Sequence, residues 1–284
     1  MSHTHSGTPR PLAAPVAQRH LEAEVATCVG GVLSPLLANI ALSVLDDHFA
    51  RVQRDQASVA ARQRRRRHGL ANYRLVRYAD DFVVLVAGTR EQTEALRGEV
   101  AAVLAPMGLR LSAAKTRIAH IDEGFDFLGF RIQRQFQRGS GKRFVYTYPA
   151  KAALAAVKAK VRTLTRGRTH QPLEALLCQL NPVLRGWATY FRRGVSKGTF
   201  SYLDAFTWRR VVCWLRRKHH RISWKNLRRR YLPRWRPTEN EVALFSPATI
   251  TVTRYRWRPS IPSPWPTAEK RQPPDAWHVE SRMR

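Results

Sequence analysis

The chain has 284 residues, 44% of them hydrophobic, which is enough for one large domain or two ordinary ones with a buried core. Fifty Lys+Arg against 20 Asp+Glu give a formal net charge of +30, far more than solubility needs, and imply a polyanionic partner, most simply nucleic acid. No apolar run approaches the ~18 residues that would span a bilayer, and Cys28, Cys178 and Cys213 are isolated from one another, so a membrane partner, a disulfide framework and a structural zinc site are all unexpected and a reducing cytoplasm fits. The charge is uneven: residues 131–284 carry 34 Lys+Arg and 7 Asp+Glu, residues 1–130 carry 16 and 13. All eight Trp also lie in the basic half.

In chain order, residues 1–27 hold three prolines and little periodicity and are expected to form a loose tail without a secretory core. Gly30-Gly31 then opens "VLSPLLANIALSVLDDHF", where Leu33, Leu36, Leu37, Ile40, Val44 and Leu45 recur at helical spacing. A long amphipathic helix is predicted there, with Ser34 as cap and Pro35 in the first position. The run "RQRRRRHG" at 62–69 reads as a solvated loop, dense enough in charge to grip phosphate.

"YRLVRYADDFVVL" at 73–85 alternates like a strand, carries two adjacent aspartates, and continues as an apolar β-branched run. It predicts a hairpin with Asp80 and Asp81 at its tip. Two readings stand at this point: a plain polar turn, since Asp favours chain reversals, or a divalent-cation site, since two carboxylates held side by side repel unless a cation lies between them. A helix over 89–104 follows, with Thr89 and Gln92 as a capping box and Leu96, Val100 and Leu104 as a buried stripe. A second hairpin is predicted from 115–121 and 125–132, and one more strand at 143–148.

Beyond Pro149 the period becomes helical and the charge strongly basic. Residues 151–166, 172–191, 199–218 and 224–231 each carry an apolar stripe, with Pro182 expected to kink or split the second helix. Trp187 and Trp214 lie in register with those stripes and are expected in the core. The prolines beyond Pro233 predict a tail that does not pack.

Four segments occur in an order known from one family. "GGVLSPLLANI" (30–40), "RYADDFVVL" (77–85), "GLRLSAAKTRIAHIDEGFDFLGF" (108–130) and "LNPVLRGWATYFR" (180–192) resemble the reverse transcriptase and maturase encoded by bacterial group II introns. The resemblance covers about residues 29–235 and moves Asp80 and Asp81 from turn to metal site. It implies an α/β (α+β) partial polymerase palm over 29–148, followed by an all-α basic thumb or maturase-specific domain over 149–235. The flanks, 1–28 and 236–284, are expected to be an unrelated tail and a poorly ordered proline-rich one.

The resemblance further implies Mg²⁺ on Asp80 and Asp81. In this family two ions about 4 Å apart activate the primer hydroxyl and stabilise the leaving pyrophosphate. Tyr78 would pack near the primer end, Lys115 would approach the incoming triphosphate, and Leu128-Gly129-Phe130 would form the primer grip. Group II intron RNA would be held by Arg185, Arg192, Arg193, Lys197, Arg209, Arg210, Arg216, Arg217 and Lys218, through counterion release. Trp and Arg interleaved in that half also allow some base stacking.

The chain departs from the family pattern before Gly30. There is no Asp there, the only acids are Glu22 and Glu24, and Val29 stands where a nucleotide-pocket glutamine is usual. An amino-terminally truncated copy lacking fingers and first palm strand is the expectation, and no Cys/His cluster suggests an attached endonuclease. Three functions follow: an RNA-directed DNA polymerase acting on RNA template and DNA primer, with a third carboxylate from a separately encoded palm and fingers piece; a non-enzymatic splicing cofactor; or a decayed remnant. The chain by itself is expected to lack polymerase activity.

Overall fold

A computed structural model describes residues 15–20, 34–113, 115–137, 139, 142–167 and 169–253, with backbone alone at 15–20, 34 and 35. Gly30-Gly31, Val29, Glu22, Glu24, Cys28 and the prolines from Pro259 onward therefore lie outside the described residues. The chain divides into two compact units, with the boundary between Arg117 and Ile118.

In the first unit, β2 (Asn72–Tyr78) and β3 (Asp81–Ala87) form the predicted hairpin, antiparallel and in the register Tyr78↔Asp81. A third strand, β1 (Pro15–His20), pairs with the other edge of β3 from Val16↔Leu85 to His20↔Asp81. This corrects the expectation of a loose tail for residues 15–20, the described part of 1–28. Pairing of main-chain groups needs no side-chain periodicity, so the strand left no pattern to read. With neighbours on both edges, β3 is a central strand, and its Phe82, Val83, Val84 and Val86 are all buried.

Helices α1 (Ser34–Arg54) and α3 (Arg90–Leu104) build the core against this sheet: Leu42, Leu45 and Phe49 from α1 and Leu96, Val100 and Leu104 from α3 meet Leu75, Phe82, Val84 and Val86. The buried face of α1 is thus its second half. Leu36, Leu37 and Ile40, expected in the stripe, are 55%, 61% and 58% exposed. The capping box of α3 forms as predicted, Gln92 N–H donating to Thr89 Oγ1 (3.4 Å) and Thr89 N–H to Gln92 Oε1 (2.9 Å). The arginine run is not a loop but a helix, α2 (Val59–Arg67), started by Ser58, whose hydroxyl accepts the Ala61 N–H at 2.9 Å.

Strand β4 (Arg117–His120) straddles the boundary between the units. The second unit then contains the antiparallel sheet β5 (Phe125–Phe127), β6 (Phe130–Phe136) and β7 (Arg143–Pro149). Four helices follow: α4 (Lys151–Arg166), α5 (Leu173–Phe191), α6 (Lys197–Lys218) and α7 (Trp224–Tyr231). Pro182 lies inside α5, which is continuous rather than split. Their core is a leucine block, Leu173, Leu176, Leu177, Leu180 and Leu184, closed by Leu203, Val211, Leu215 and a fully buried Trp214.

The sheet β5–β7 lies in the same compact unit as the helices: Phe130 packs on the Ala188, Phe191 and Phe200 cluster, Tyr190 donates its hydroxyl to Leu128 O (2.9 Å), and Val195 N–H to Thr147 O (2.7 Å). The helical unit also continues past residue 235. Strands β8 (Thr238–Glu239) and β9 (Val242–Ala243) pair, Leu244 is buried, and Asn181 fastens the segment by donating to Ala243 O (2.9 Å) and accepting from Phe245 N–H (2.7 Å).

Replacing Leu180, which has no exposed surface, by Ala is expected to cost about 2–5 kcal/mol of stability in urea denaturation. Leu36→Ala on the exposed turn of α1 is expected to change it by under about 0.5 kcal/mol. An equal loss in both would show that the first half of α1 is a core face.

Candidate functional site

The β2–β3 connection is a two-residue loop, Ala79-Asp80, because Tyr78 and Asp81 are paired. Ala79 is left-handed at φ 52°, a conformation that costs a non-glycine residue roughly 1–2 kcal/mol. Arg77 holds it there. One nitrogen donates to Ala79 O (2.9 Å) and to Asn39 Oδ1 (2.8 Å), while Nε and the other nitrogen grip Asp46 Oδ2 at 3.0 and 2.5 Å. The carboxylate tip is thereby tied to α1. Asp80 and Tyr78 are exposed, Tyr78 at 67%, and Asp81 is half-buried at the start of β3.

The remaining expected site residues have the following places. Lys115 is exposed in a turn before β4, its N–H donating to Ser112 O (3.2 Å), rather than on a strand. Leu128 and Gly129 form the two-residue loop between β5 and β6, both left-handed (φ 49° and 74°), the pattern of a type I′ hairpin. The glycine is needed for a second reason, since a Cβ there would stand 3.3 Å from Phe191.

The basic residues of the helical unit sort into two groups. Arg210 donates to Thr165 Oγ1 (3.0 Å), Arg217 to the carbonyls of Thr165 (2.5 Å) and Arg166 (3.0 Å), and Lys218 to those of Thr169 (2.9 Å) and Gln171 (2.8 Å). Arg217 and Lys218 thus satisfy carbonyls at and beyond the end of α4, where cations are favoured, and Arg210 binds a hydroxyl in its last turn. Lys197 likewise donates to Ala248 O (2.5 Å), and Arg185 covers the Phe245 ring at 4.8 Å. Arg192, Arg209 and Arg216 are exposed, and their side chains make no hydrogen bond or ion pair among the described residues. Arg193, also exposed, bridges to Thr253 through its main chain.

Beside Arg209 on α6 is a mixed face that inspection of the sequence did not single out. Lys158 Nζ donates to Tyr202 Oη (2.7 Å) and lies 5.1 Å from the Phe206 ring centre, and the Arg162 guanidinium lies 5.3 Å from the same ring. The hydrogen bond from Lys158, with its charge, holds the Tyr202 hydroxyl below the usual tyrosine range.

Two family descriptions match the chain: reverse transcriptase (RNA-dependent DNA polymerase) over residues 14–132, and group II intron maturase-specific domain over residues 154–232. The chain belongs to the group II intron reverse transcriptase and maturase family. Among its relatives is Protein YkfC of Escherichia coli (strain K12), 37% identical over 156 residues, covering 47% of this chain and 40% of the relative. Another is an uncharacterized 91 kDa protein in a cob intron of Schizosaccharomyces pombe, 26% identical over 260 residues, covering 70% of this chain and 31% of the relative. The chain thus spans well under half the length of either relative.

The reverse transcriptase match begins at residue 14, so β1 lies within it. The expected loss of the upstream palm strand is therefore corrected: a strand pairs where one belongs, but Pro15–His20 contains no acid, and Asp81 stands in register with His20. Reverse transcriptases are generally Mg²⁺-dependent. Asp80 and Asp81 suit one Mg²⁺ that keeps its waters and takes substrate phosphates. They fall short of a two-ion site, because no group of three His, Cys, Asp or Glu occurs among the described residues.

Nothing in the spacing of the sequence tied Arg77 to Asp46 and Asn39, 31 and 38 positions away. Lys158→Met is expected to move the ionisation of Tyr202 up toward the ordinary tyrosine range, followed by NMR titration of its ring Cζ carbon. An unmoved midpoint would mean that the Lys158–Tyr202 contact is absent in solution.

Proposed function

We propose that this chain is an RNA-binding component of a group II intron reverse transcriptase and maturase, and that by itself it does not polymerise. The observation that carries the reading is the exposed face on α4 and α6, where Lys158, Arg162 and Arg209 surround Tyr202 and Phe206. Cations beside aromatic rings suit RNA doubly. The charges neutralise phosphates with release of counterions, and each ring that takes a base adds about 1–3 kcal/mol. The partner is intron RNA, and the five cations occupied within the fold, at Arg185, Lys197, Arg210, Arg217 and Lys218, act by holding the helices rather than by touching it.

For the palm, Asp80 and Asp81 would hold a Mg²⁺, which when bound neutralises nucleotide phosphates. Arg77 keeps the hairpin tip that carries them against α1. Tyr78 and Lys115 remain candidates for primer and triphosphate contacts, and Leu128-Gly129 for the primer grip, on an RNA template with a DNA primer. Polymerisation would need a further carboxylate, supplied by another polypeptide carrying palm and fingers. Cys178 and Cys213 are free and exposed, which suits a reducing cytoplasm. No helix among the described residues is long and apolar enough to cross a membrane.

Purified chain is expected to bind cognate intron RNA more tightly than bulk RNA at equal salt, with affinity falling steeply as salt rises. Equal binding of both RNAs would leave only unspecific charge and remove the maturase reading. In primer extension on an RNA template with Mg²⁺, no product is expected. Extension that disappears in the Asp80→Ala, Asp81→Ala double variant would overturn the claim of inactivity and show a completed metal site.

A further inference from the structure

We propose that α2 is a second phosphate-binding site for RNA, carried by the first unit and separate from the maturase-specific helices. It rests on the RNA-binding reading above. Helix formation divides the arginine run into two sets. Arg62 and Arg65 are half-buried and turned to the fold, Arg62 donating to Gln56 O (2.8 Å) and Ala57 O (3.2 Å), and Arg65 to Ala71 O (3.0 Å). Asn72 Nδ2 donates to Arg62 O (3.2 Å), and Gln56 Oε1 accepts the Tyr73 N–H (2.8 Å). These bonds fasten α2 to β2.

Arg64, Arg66 and Arg67 are the other set, exposed and with side chains that make no hydrogen bond or ion pair among the described residues. They are not needed to cap the helix. The last-turn carbonyls already accept main-chain donors, Arg64 O from His68, Arg66 O from Gly69 and Arg65 O from Leu70 at 3.1, 3.1 and 2.9 Å. A nine-residue helix is marginal by itself, and the like charges one turn apart, Arg62 with Arg66 and Arg64 with Arg67, weaken it further. Three guanidinium groups that cost stability and have no partner in the fold are what a ligand site looks like. From Val52 to Asn72 the only acid is Asp55, while the last turn of α1 adds exposed Arg51 and Arg54. Planar forks on a rigid helix match phosphate oxygens. An RNA backbone is the polyanion that the rest of the chain is built for, whereas an anionic lipid surface would call for an apolar face on α2, and α2 has no buried residue and Val59 as its only large aliphatic side chain.

The test uses the full chain and a fluorescein-labelled structured RNA, with binding measured across salt concentrations. The variant Arg64→Gln, Arg66→Gln, Arg67→Gln is expected to weaken binding by at least about tenfold and to flatten the slope of log affinity against log salt by about 2, at roughly 0.7–0.9 per lost phosphate contact. Its circular dichroism and urea midpoint should match the parent, and the triple Lys variant at the same positions should restore the slope. The comparison variant Arg97→Gln, Arg110→Gln, Arg117→Gln removes the same charge from exposed positions elsewhere and is expected to change the slope much less. Equal effects of the two Gln variants would mean diffuse charge and overturn the site. An unchanged slope in the α2 variant, with the parent binding RNA, would overturn the α2 site alone. A parent that binds no RNA would overturn both this proposal and the functional reading beneath it. Loss of binding to phosphatidylserine vesicles without loss of RNA binding would overturn it in favour of a membrane surface.

Discussion

A main-chain carbonyl accepting from a cationic side chain is the interaction on which both units depend. With 50 basic and 20 acidic residues, there are too few carboxylates to neutralise the cations one for one. The fold instead turns many of the inward ones onto carbonyls left open at helix ends and turns. Arg65 holds α2 to the start of β2, Arg217 and Lys218 hold the end of α4 to α6, and Arg236 donates to Leu244 O (2.7 Å) in the closing segment. Where the carbonyl is shielded from water, as at Ala71, Thr169 and Leu244, leaving it without a donor would cost about 1–3 kcal/mol. Each bond also removes a cation from the set that can meet a ligand.

Carboxylates are used at the hairpins. Asp46 takes Arg77 through two guanidinium nitrogens, and Asp122 takes Arg134 at 2.5 and 2.7 Å, which holds the Asp122 carboxyl below the usual range. Paired nitrogens orient as well as attract. At Arg77 the orientation matters most, because the same guanidinium reaches the carbonyl of Ala79 directly before Asp80. The aspartates therefore stand on a turn that is strained locally and held by a contact to another element. The tip is thus held from α1, and on β1 the position in register with Asp81 is His20.

The two units differ in how far their apolar stripes are buried. In the helical unit the leucine block closes completely, and the stripes that define it are the ones visible in the sequence, which is why α4 to α7 have nearly the boundaries their periodicity predicts. In the first unit α1 carries large apolar residues from Leu36 to Val52 but buries only Leu42, Leu45 and Phe49 deeply. Periodicity reports which residues could be buried together, not what is there to cover them. The same limit explains β1 and the segment after residue 235, whose places depend on pairing partners elsewhere in the chain.

The sequence by itself determined the class of partner, the hairpin with its two aspartates, the helical basic half and the absence of Asp before Gly30, because each is a matter of composition, short spacing or ordered motifs. Tertiary structure alone decided which cations are free. Arg210 and Arg217 find acceptors 45 and 52 positions away, and Arg62 and Arg65 turn inward where Arg64, Arg66 and Arg67 do not. A guanidinium has the same charge in either role. Only the folded chain brings a carbonyl within reach of one and leaves another to the solvent.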